Sequence, residues 1–229
     1  MLKLICDVVL RPNFYVACAI LSVLSIIFFN IPFFTINNND ETFSALDISL
    51  STAYIFSILY ALFNCNIFIV NSFSNRLFIN LIVKPFGIIL YVLSLNIAVF
   101  LISAIFHFIS LMISCYFFNV ESSGVSIYKL CFFYSISFIL STLHSLFVIP
   151  LSILIRNHNA LILNIMLVFS FNLSRSCFPF NFSAYTLGDS LYNGSHFGGS
   201  YVAVLLINFS LLLGILTLIT TRLIARIEA

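Results

Sequence analysis

The sequence predicts an all-α polytopic membrane protein with six transmembrane helices. Of its 229 residues, 62% are hydrophobic and 7% are charged, whereas about 25% of the residues in ordinary soluble domains are charged. A spanning helix needs about 20 predominantly apolar residues, and six continuous runs meet this requirement. They are residues 14–34, 48–70, 86–113, 128–150, 160–178 and 201–223. Residues 1–229 are therefore expected to form a single transmembrane domain. Runs of this length exclude a transmembrane β-barrel, whose strands alternate in polarity over about ten residues.

An amphipathic interfacial helix is predicted ahead of the first span. Lys3, Asp7 and Arg11 are spaced four apart, which places their charges on one helical face where they can pair. Such a helix suits the lipid headgroup plane, so membrane lipid is an expected partner. Pro12 would then bend the chain into the first span. A frayed polar terminus is the alternative interpretation.

The distribution of basic residues predicts that both termini are cytoplasmic. With the amino terminus inside, the inner side holds seven of the nine basic residues, namely Lys3, Arg11, Arg76, Lys84, Arg156, Arg222 and Arg226. The outer side holds Lys129 and Arg175. Short cytoplasmic loops carry the excess of Lys and Arg in membrane proteins. The acidic loop at residues 37–47 is correspondingly predicted to lie outside.

Residues 71–85, between the second and third spans, are predicted to form an amphipathic cytosolic helix. Two sets of residues repeat at intervals of four. The polar set is Ser72, Arg76, Asn80 and Lys84, and the apolar set is Phe73, Leu77 and Leu81. This pattern is typical of a helix lying on a surface, and Pro85 would end it. A short interfacial loop is the alternative.

Residues 171–200, from the end of the fifth predicted span to the start of the sixth, have a different composition. This segment contains Arg175, Pro179, Asp189 and four glycines among many aromatic residues, so it cannot span a membrane. The aromatic residues are too numerous for a solvated loop. We therefore expect short re-entrant helices in the outer leaflet, with a compact external loop as the alternative.

Several kinds of chemistry are missing from the sequence. No P-loop motif and no H-E-x-x-H motif occur, so no catalytic residue, metal site or directly bound cofactor is predicted. The spans contain no Asp or Glu, which argues against an ion-coupled carrier. His107 and His144 occur singly in spans and are interpreted as packing residues. The six cysteines are dispersed and are interpreted as small buried residues. The net charge of +2 gives no indication of a nucleic-acid partner.

The layout resembles the ABC-2 type membrane subunits of ATP-binding cassette exporters, across nearly the whole chain. The shared features are the interfacial amino-terminal helix, six spans, cytoplasmic ends and the amphipathic segment 71–85. The resemblance implies that this segment contacts a cytosolic ATPase through Phe73, Arg76, Leu77, Asn80 and Lys84. It also implies a second cytosolic contact at Arg156 and His158, in the turn 156–159.

The same resemblance implies the partners and the cargo. ATP and Mg²⁺ would bind in the separate ATPase, and the chain would pair with a second permease subunit as a homodimer or heterodimer. Compact subunits of this kind are similar to exporters of phenol-soluble modulins and bacteriocins in the plasma membrane of Gram-positive bacteria. An amphipathic peptide or toxin is therefore the expected cargo. A stand-alone secondary transporter or channel, and a non-transporting scaffold or immunity protein, are the alternative functions.

Overall fold

The computed structural model describes most of the chain as helices and resolves their bounds. The described residues are 2–9, 13, 16–18, 20, 23–24, 39–74, 86–117, 127–155, 159, 162–163, 165–166 and 199–227. The helices are α1 (Leu2–Val9), α2 (Asn39–Ser74), α3 (Gly87–Phe117), α4 (Ile127–Leu146), α5 (Val148–Ile155) and α6 (Gly199–Ile227). Within these ranges no residue is in a β-strand, so the predicted all-α class is confirmed for the described part.

Three stretches of the described chain are long and apolar enough to cross a membrane. They are Thr52–Ser72 in α2, Gly87–Tyr116 in α3, and Leu130–Ile155, which comprises most of α4 and all of α5. These stretches overlap the predicted spans 48–70, 86–113 and 128–150. The predicted span 201–223 lies within α6. The predicted spans 14–34 and 160–178 lie mostly outside the described residues, and the count of six stays a prediction.

The three long helical segments alternate in direction. Ser49 contacts Ser110, and the ring of Phe68 stacks on that of Tyr91, so α2 and α3 are antiparallel. Ser49 also contacts Tyr134, and Asn66 contacts Ser152, so α2 runs parallel to α4 and α5.

The bundle consequently has two distinct ends. Residues 75–86 connect α2 to α3 at one end, which we call the α2–α3 end, and α5 stops at this end at Ile155. Residues 118–126 connect α3 to α4 at the other end, which we call the α3–α4 end.

The acidic segment predicted as a loop is instead the beginning of α2. The prediction for residues 37–47 is wrong in this respect, because α2 begins at Asn39 and includes Asp40, Glu41 and Asp47. No proline or glycine separates them from the apolar run that follows. The side of the membrane on which this segment lies stays a prediction.

The other end of α2 also extends beyond its predicted bound. The first four residues of the predicted coupling helix, 71–74, form the last turn of α2. Ser72 is only 1% exposed and donates a hydrogen bond to the Phe68 carbonyl at 2.7 Å. The assignment of Ser72 to the outer polar face is therefore wrong. The i to i+4 spacing fits either helix, because α2 continues without a breaker through position 72.

Pro150 lies in the first turn of a helix that continues beyond it, whereas the apolar run 128–150 predicts that a span ends there. The chain turns at Phe147, and Pro150 occupies the first turn of α5. Proline is tolerated in the first turn, since the N–H groups at those positions have no partner within the helix. The third spanning stretch therefore continues to Ile155.

α1 and α6 pack against this three-segment bundle. α1 contacts α2 and α3, with Val8 and Val9 buried and Lys3 and Asp7 exposed. The Tyr60 hydroxyl donates a hydrogen bond to the Val9 carbonyl at 3.3 Å. Tyr60 lies near the middle of the stretch Thr52–Ser72, so the last turn of α1 reaches well into the bundle. α6 contacts α3, α4 and α5.

Candidate functional site

A cluster of four hydroxyl groups joins three helices at the α3–α4 end. This hydroxyl cluster consists of Ser49 from α2, Ser110 and Ser114 from α3, and Tyr134 from α4. The Tyr134 hydroxyl lies 3.2 Å from Ser49 Oγ, 3.0 Å from Ser110 Oγ and 2.7 Å from Ser114 Oγ. Ser49 Oγ and Ser110 Oγ are 3.0 Å apart. Each of the four side chains is at most 3% exposed.

The hydroxyl cluster can satisfy its members without any charge. Each hydroxyl donates one hydrogen bond and accepts up to two. Ser114 also has the Ser110 carbonyl within reach at 2.8 Å, and Ser110 has the Ser49 carbonyl at 3.4 Å. Hydroxyl groups commonly hydrogen-bond across helices in membrane proteins, each bond adding about 0.6 kcal/mol on average. The cluster therefore fixes the relative positions of α2, α3 and α4 at this end.

His107 is held by groups from its own helix and from α4. Its Nδ1 lies 2.8 Å from the Ser103 carbonyl oxygen, and its Nε2 lies 2.9 Å from Ser137 Oγ. A carbonyl oxygen can only accept a hydrogen bond, so Nδ1 carries the ring proton and donates it to the Ser103 carbonyl. Nε2 then accepts a hydrogen bond from the Ser137 hydroxyl. A serine that donates to an oriented histidine also occurs in hydrolytic dyads. Here Ser137 is 0% and His107 4% exposed, so in this arrangement the pair serves to hold the helices together.

His144 makes the equivalent link between α4 and α2. Its Nδ1 lies 2.5 Å from the Tyr54 hydroxyl, and the two rings meet edge to face with centroids 5.8 Å apart. Both histidines therefore have partners on another helix. The interpretation of these histidines as packing residues agrees with this geometry. Spacing could not reveal their partners, because Ser137 and Tyr54 lie 30 and 90 residues away in sequence.

An amide links α2 to α5 nearer the α2–α3 end. Asn66 Nδ2 donates a hydrogen bond to Ser152 Oγ at 3.1 Å, and Asn66 is 0% exposed. Its carbonyl atom, Oδ1, is buried without a hydrogen-bond partner, as is Ser103 Oγ. A buried acceptor without a partner costs about 1–3 kcal/mol. Asn66 is thus only half satisfied, unlike Tyr134.

The polar interior of the described bundle is uncharged. The buried side chains with polar atoms are those of serine, threonine, asparagine, histidine and tyrosine, and the three spanning stretches contain no Asp, Glu, Lys or Arg. Among the residues that the structure describes, no three of His, Cys, Asp and Glu form a group able to hold a metal ion. The interior of the described bundle therefore holds hydrogen-bonding groups but no fixed charge.

The residues predicted from sequence fall in three groups. Lys3 and Asp7 are exposed on α1, and Phe73 belongs to the last turn of α2. The remainder lie outside the described residues, namely Arg11, Arg76, Leu77, Asn80, Lys84, Arg156, His158, Arg175, Pro179 and Asp189.

The dispersed cysteines are not uniformly buried, since Cys65 is buried, Cys6 is exposed, and Cys18, Cys115 and Cys131 are intermediate. The burial prediction is therefore wrong for Cys6.

Comparison with known proteins adds no family. The chain matches no protein-family model, no curated protein and no solved structure. The fold and the interior nonetheless indicate a class of protein. Long apolar helices that are joined by uncharged interhelical hydrogen bonds are typical of multi-pass α-helical membrane proteins.

Proposed function

We propose that this protein is the membrane-spanning subunit of an ATP-binding cassette exporter. In this proposal it forms the translocation path with a second permease subunit and is driven by a separate cytosolic ATPase. The cargo is an amphipathic peptide, toxin or bacteriocin, and the location is the plasma membrane of a Gram-positive bacterium. The ATP and Mg²⁺ belong to the partner.

The observation that carries this proposal is the common end of three helices. α2 ends at Ser74, α3 begins at Gly87 and α5 ends at Ile155, all at the α2–α3 end. The two segments expected to contact an ATPase, 71–85 and 156–159, therefore adjoin the same end of the bundle. A single cytosolic partner bound at this end could contact both segments together.

The uncharged interior supports the same proposal. Carriers driven by protons or sodium usually keep carboxylates near the membrane midplane for the coupling ion. The three described spanning stretches contain no such carboxylate. An ATPase in a partner subunit supplies the energy without any charged group in the spans. If the proposed path is lined by similar neutral hydroxyl, amide and aromatic groups, it would also suit a cargo with both polar and apolar faces.

The test is purification of the chain from its native membrane with an affinity tag. We expect a cytosolic ATPase to copurify and the complex to hydrolyse ATP, whereas the chain expressed alone should show no hydrolysis. Reconstitution in liposomes then separates the alternatives. Uptake of an amphipathic peptide by the chain alone, without ATP, would indicate a stand-alone transporter. Absence of both an ATPase and transport would indicate a scaffold or immunity protein.

A further inference from the structure

The last turn of α1 lies near the middle of the helix bundle. The Tyr60 hydroxyl donates a hydrogen bond to the Val9 carbonyl at 3.3 Å. In the spanning stretch Thr52–Ser72 of α2, Tyr60 is about 12 Å from the first residue and about 18 Å from the last. This stretch is as long as the hydrocarbon core of a bilayer is thick, about 30 Å. Val9 is therefore far from both headgroup levels.

An aromatic contact with α3 fixes this depth independently. The rings of Tyr60 and Phe106 meet edge to face with centroids 5.4 Å apart. In the spanning stretch Gly87–Tyr116, Phe106 is about 15 Å from the last residue. Both rings thus lie near the middle of their stretches, and so does the Val9 carbonyl that Tyr60 contacts.

This position also determines the depth of the charged side of α1. Asp7 is two residues before Val9, so their Cα atoms are about 5 Å apart in an α-helix. Asp7 therefore lies at hydrocarbon depth whatever the direction of α1. Its side chain is exposed, whereas that of Val9 is buried. The exposed side chains of the helix, which we call the outer face of α1, are those of Leu2, Lys3, Cys6 and Asp7.

A carboxylate at this depth needs water or a polar partner. Ionisable residues inside a membrane almost always face the bundle interior or a water-filled cavity, and they mark the pathways of substrates and ions. Lysine can extend its amino group toward the headgroups, but the short side chain of aspartate cannot. A lipid surface is therefore compatible with Lys3 and incompatible with Asp7.

We propose that the outer face of α1 lines a water-filled cavity inside the membrane, with Lys3 and Asp7 as its charged wall. The identification of this cavity with the translocation path rests on the proposed function, whereas its water content does not. The charge spacing alone predicts a helix in the headgroup plane, which would have its last turn at the edge of the bundle. In the proposed arrangement α1 instead supplies the path with the charged groups that the spanning stretches lack.

The first measurement tests the depth of α1. In a background without the six native cysteines, cysteine replaces Val9 and Tyr60, and the chain in lipid nanodiscs is treated with a short bifunctional thiol reagent. We expect a link within one chain, because these two residues are in contact. Val9→Cys with Ile89→Cys is the matched control and should not link. Ile89 is 43% exposed in the first turn of α3 at the α2–α3 end, the predicted inner surface.

The second measurement tests whether the outer face contacts water. Cys6 is exposed; it is kept as the only cysteine and carries a nitroxide spin label. Electron paramagnetic resonance in nanodiscs then measures collisions of the label with a water-soluble nickel complex. Leu101→Cys is the control for lipid at this depth, since Leu101 is 37% exposed in the middle of α3. We expect nickel collisions at Cys6 to be at least about tenfold more frequent, because polar solutes are excluded from hydrocarbon.

Either measurement can overturn the proposal. If Val9→Cys does not link to Tyr60→Cys, α1 is not at the middle of the bundle. If nickel collisions at Cys6 are as rare as at Leu101→Cys, the outer face contacts lipid or protein instead of water. If the variant with Cys6 alone does not fold, wild-type chain in liposomes is treated with a charged methanethiosulfonate. Modification of Cys6, read by peptide mass spectrometry, then supports the proposal, and its absence contradicts it. Both measurements use the chain without an ATPase, so their outcome is separate from that of the proposed function.

Discussion

Tyr134 and Asn66 are both buried polar residues between helices, yet they differ in how completely they are paired. Tyr134 contacts three serines of the hydroxyl cluster at the α3–α4 end. Asn66, nearer the α2–α3 end, uses its Nδ2 on Ser152 and leaves its Oδ1 without a partner. A fully paired buried group stabilises one arrangement, whereas a half-paired group costs free energy there. We infer that α2, α3 and α4 are held more firmly at the α3–α4 end.

This difference has a consequence for the proposed transport cycle. The end that is proposed to bind the ATPase is the end where Asn66 has an unsatisfied atom. A second arrangement of α2 and α5 that gives Asn66 Oδ1 a hydrogen-bond partner would remove part of the free-energy cost of leaving this atom unpaired. Movement driven by the ATPase would then separate helices at the α2–α3 end while the hydroxyl cluster stays intact.

The largest expected effect concerns the sides on which the two ends lie. In a background without the six native cysteines, cysteine is placed at Asn39 or at Asn75. The excess of basic residues near the α2–α3 end predicts that this end is inside. In intact cells a membrane-impermeant thiol reagent should therefore label Asn39→Cys and leave Asn75→Cys unlabelled. Labelling after lysis is the control for reactivity, and the reverse pattern in intact cells would invert the topology and remove the docking proposal.

The next largest effect is expected for Tyr134→Phe. The change keeps the ring and removes the hydroxyl that contacts Ser49, Ser110 and Ser114, so we expect a loss of about 1–3 kcal/mol in stability. Thermal unfolding in detergent measures it. Tyr128→Phe is the matched control, because Tyr128 is 88% exposed in the first turn of α4. Its effect should stay within about 0.5 kcal/mol. Equal shifts in the two variants would show that the hydroxyl cluster does not stabilise the bundle.

The smallest effect is expected for the double variant Asn66→Leu with Ser152→Ala. It removes both partners of one hydrogen bond together with the unsatisfied Oδ1, and replacing both partners by apolar groups is nearly neutral. We expect a change within about 1 kcal/mol, measured by the same unfolding assay. Ser152→Ala alone is the comparison, since it leaves the Asn66 amide with neither atom paired and should destabilise more. A double variant less stable than this single variant would contradict the account of Asn66.

The sequence could predict the helices much better than the contacts between them. Continuous apolar runs located the stretches at 52–72, 87–116 and 130–155 because length and hydropathy are local properties. The four-residue repeat that includes Ser72 gave a wrong prediction for this residue. The end of a long helix and a separate amphipathic helix have the same period, so the repeat could not distinguish them. Pro150 misled because proline can begin a helix as well as end one.

The partners of the buried polar residues could not be predicted from the sequence. Ser49 and Tyr134 are 85 residues apart, and Asn66 and Ser152 are 86 apart. Many serines occur at similar helical positions, so no spacing in the sequence distinguishes Ser49 and Ser152 from the other serines. Such pairings are set by how the helices rotate and tilt against each other, which is a property of the whole bundle.

The central claim is that a cytosolic ATPase binds at the α2–α3 end. The most direct measurement is copurification of the ATPase and its hydrolysis rate with the double variant Arg76→Glu and Lys84→Glu. Reversed charge opposite acidic partner groups can cost several kcal/mol at an interface, so we expect the ATPase to be lost. Lys129→Glu, in the first turn of α4 at the other end, is the control and should retain it. The topology of both variants is verified by the same cysteine labelling. If the double variant inserts normally and keeps full ATPase association and activity, the docking claim is contradicted.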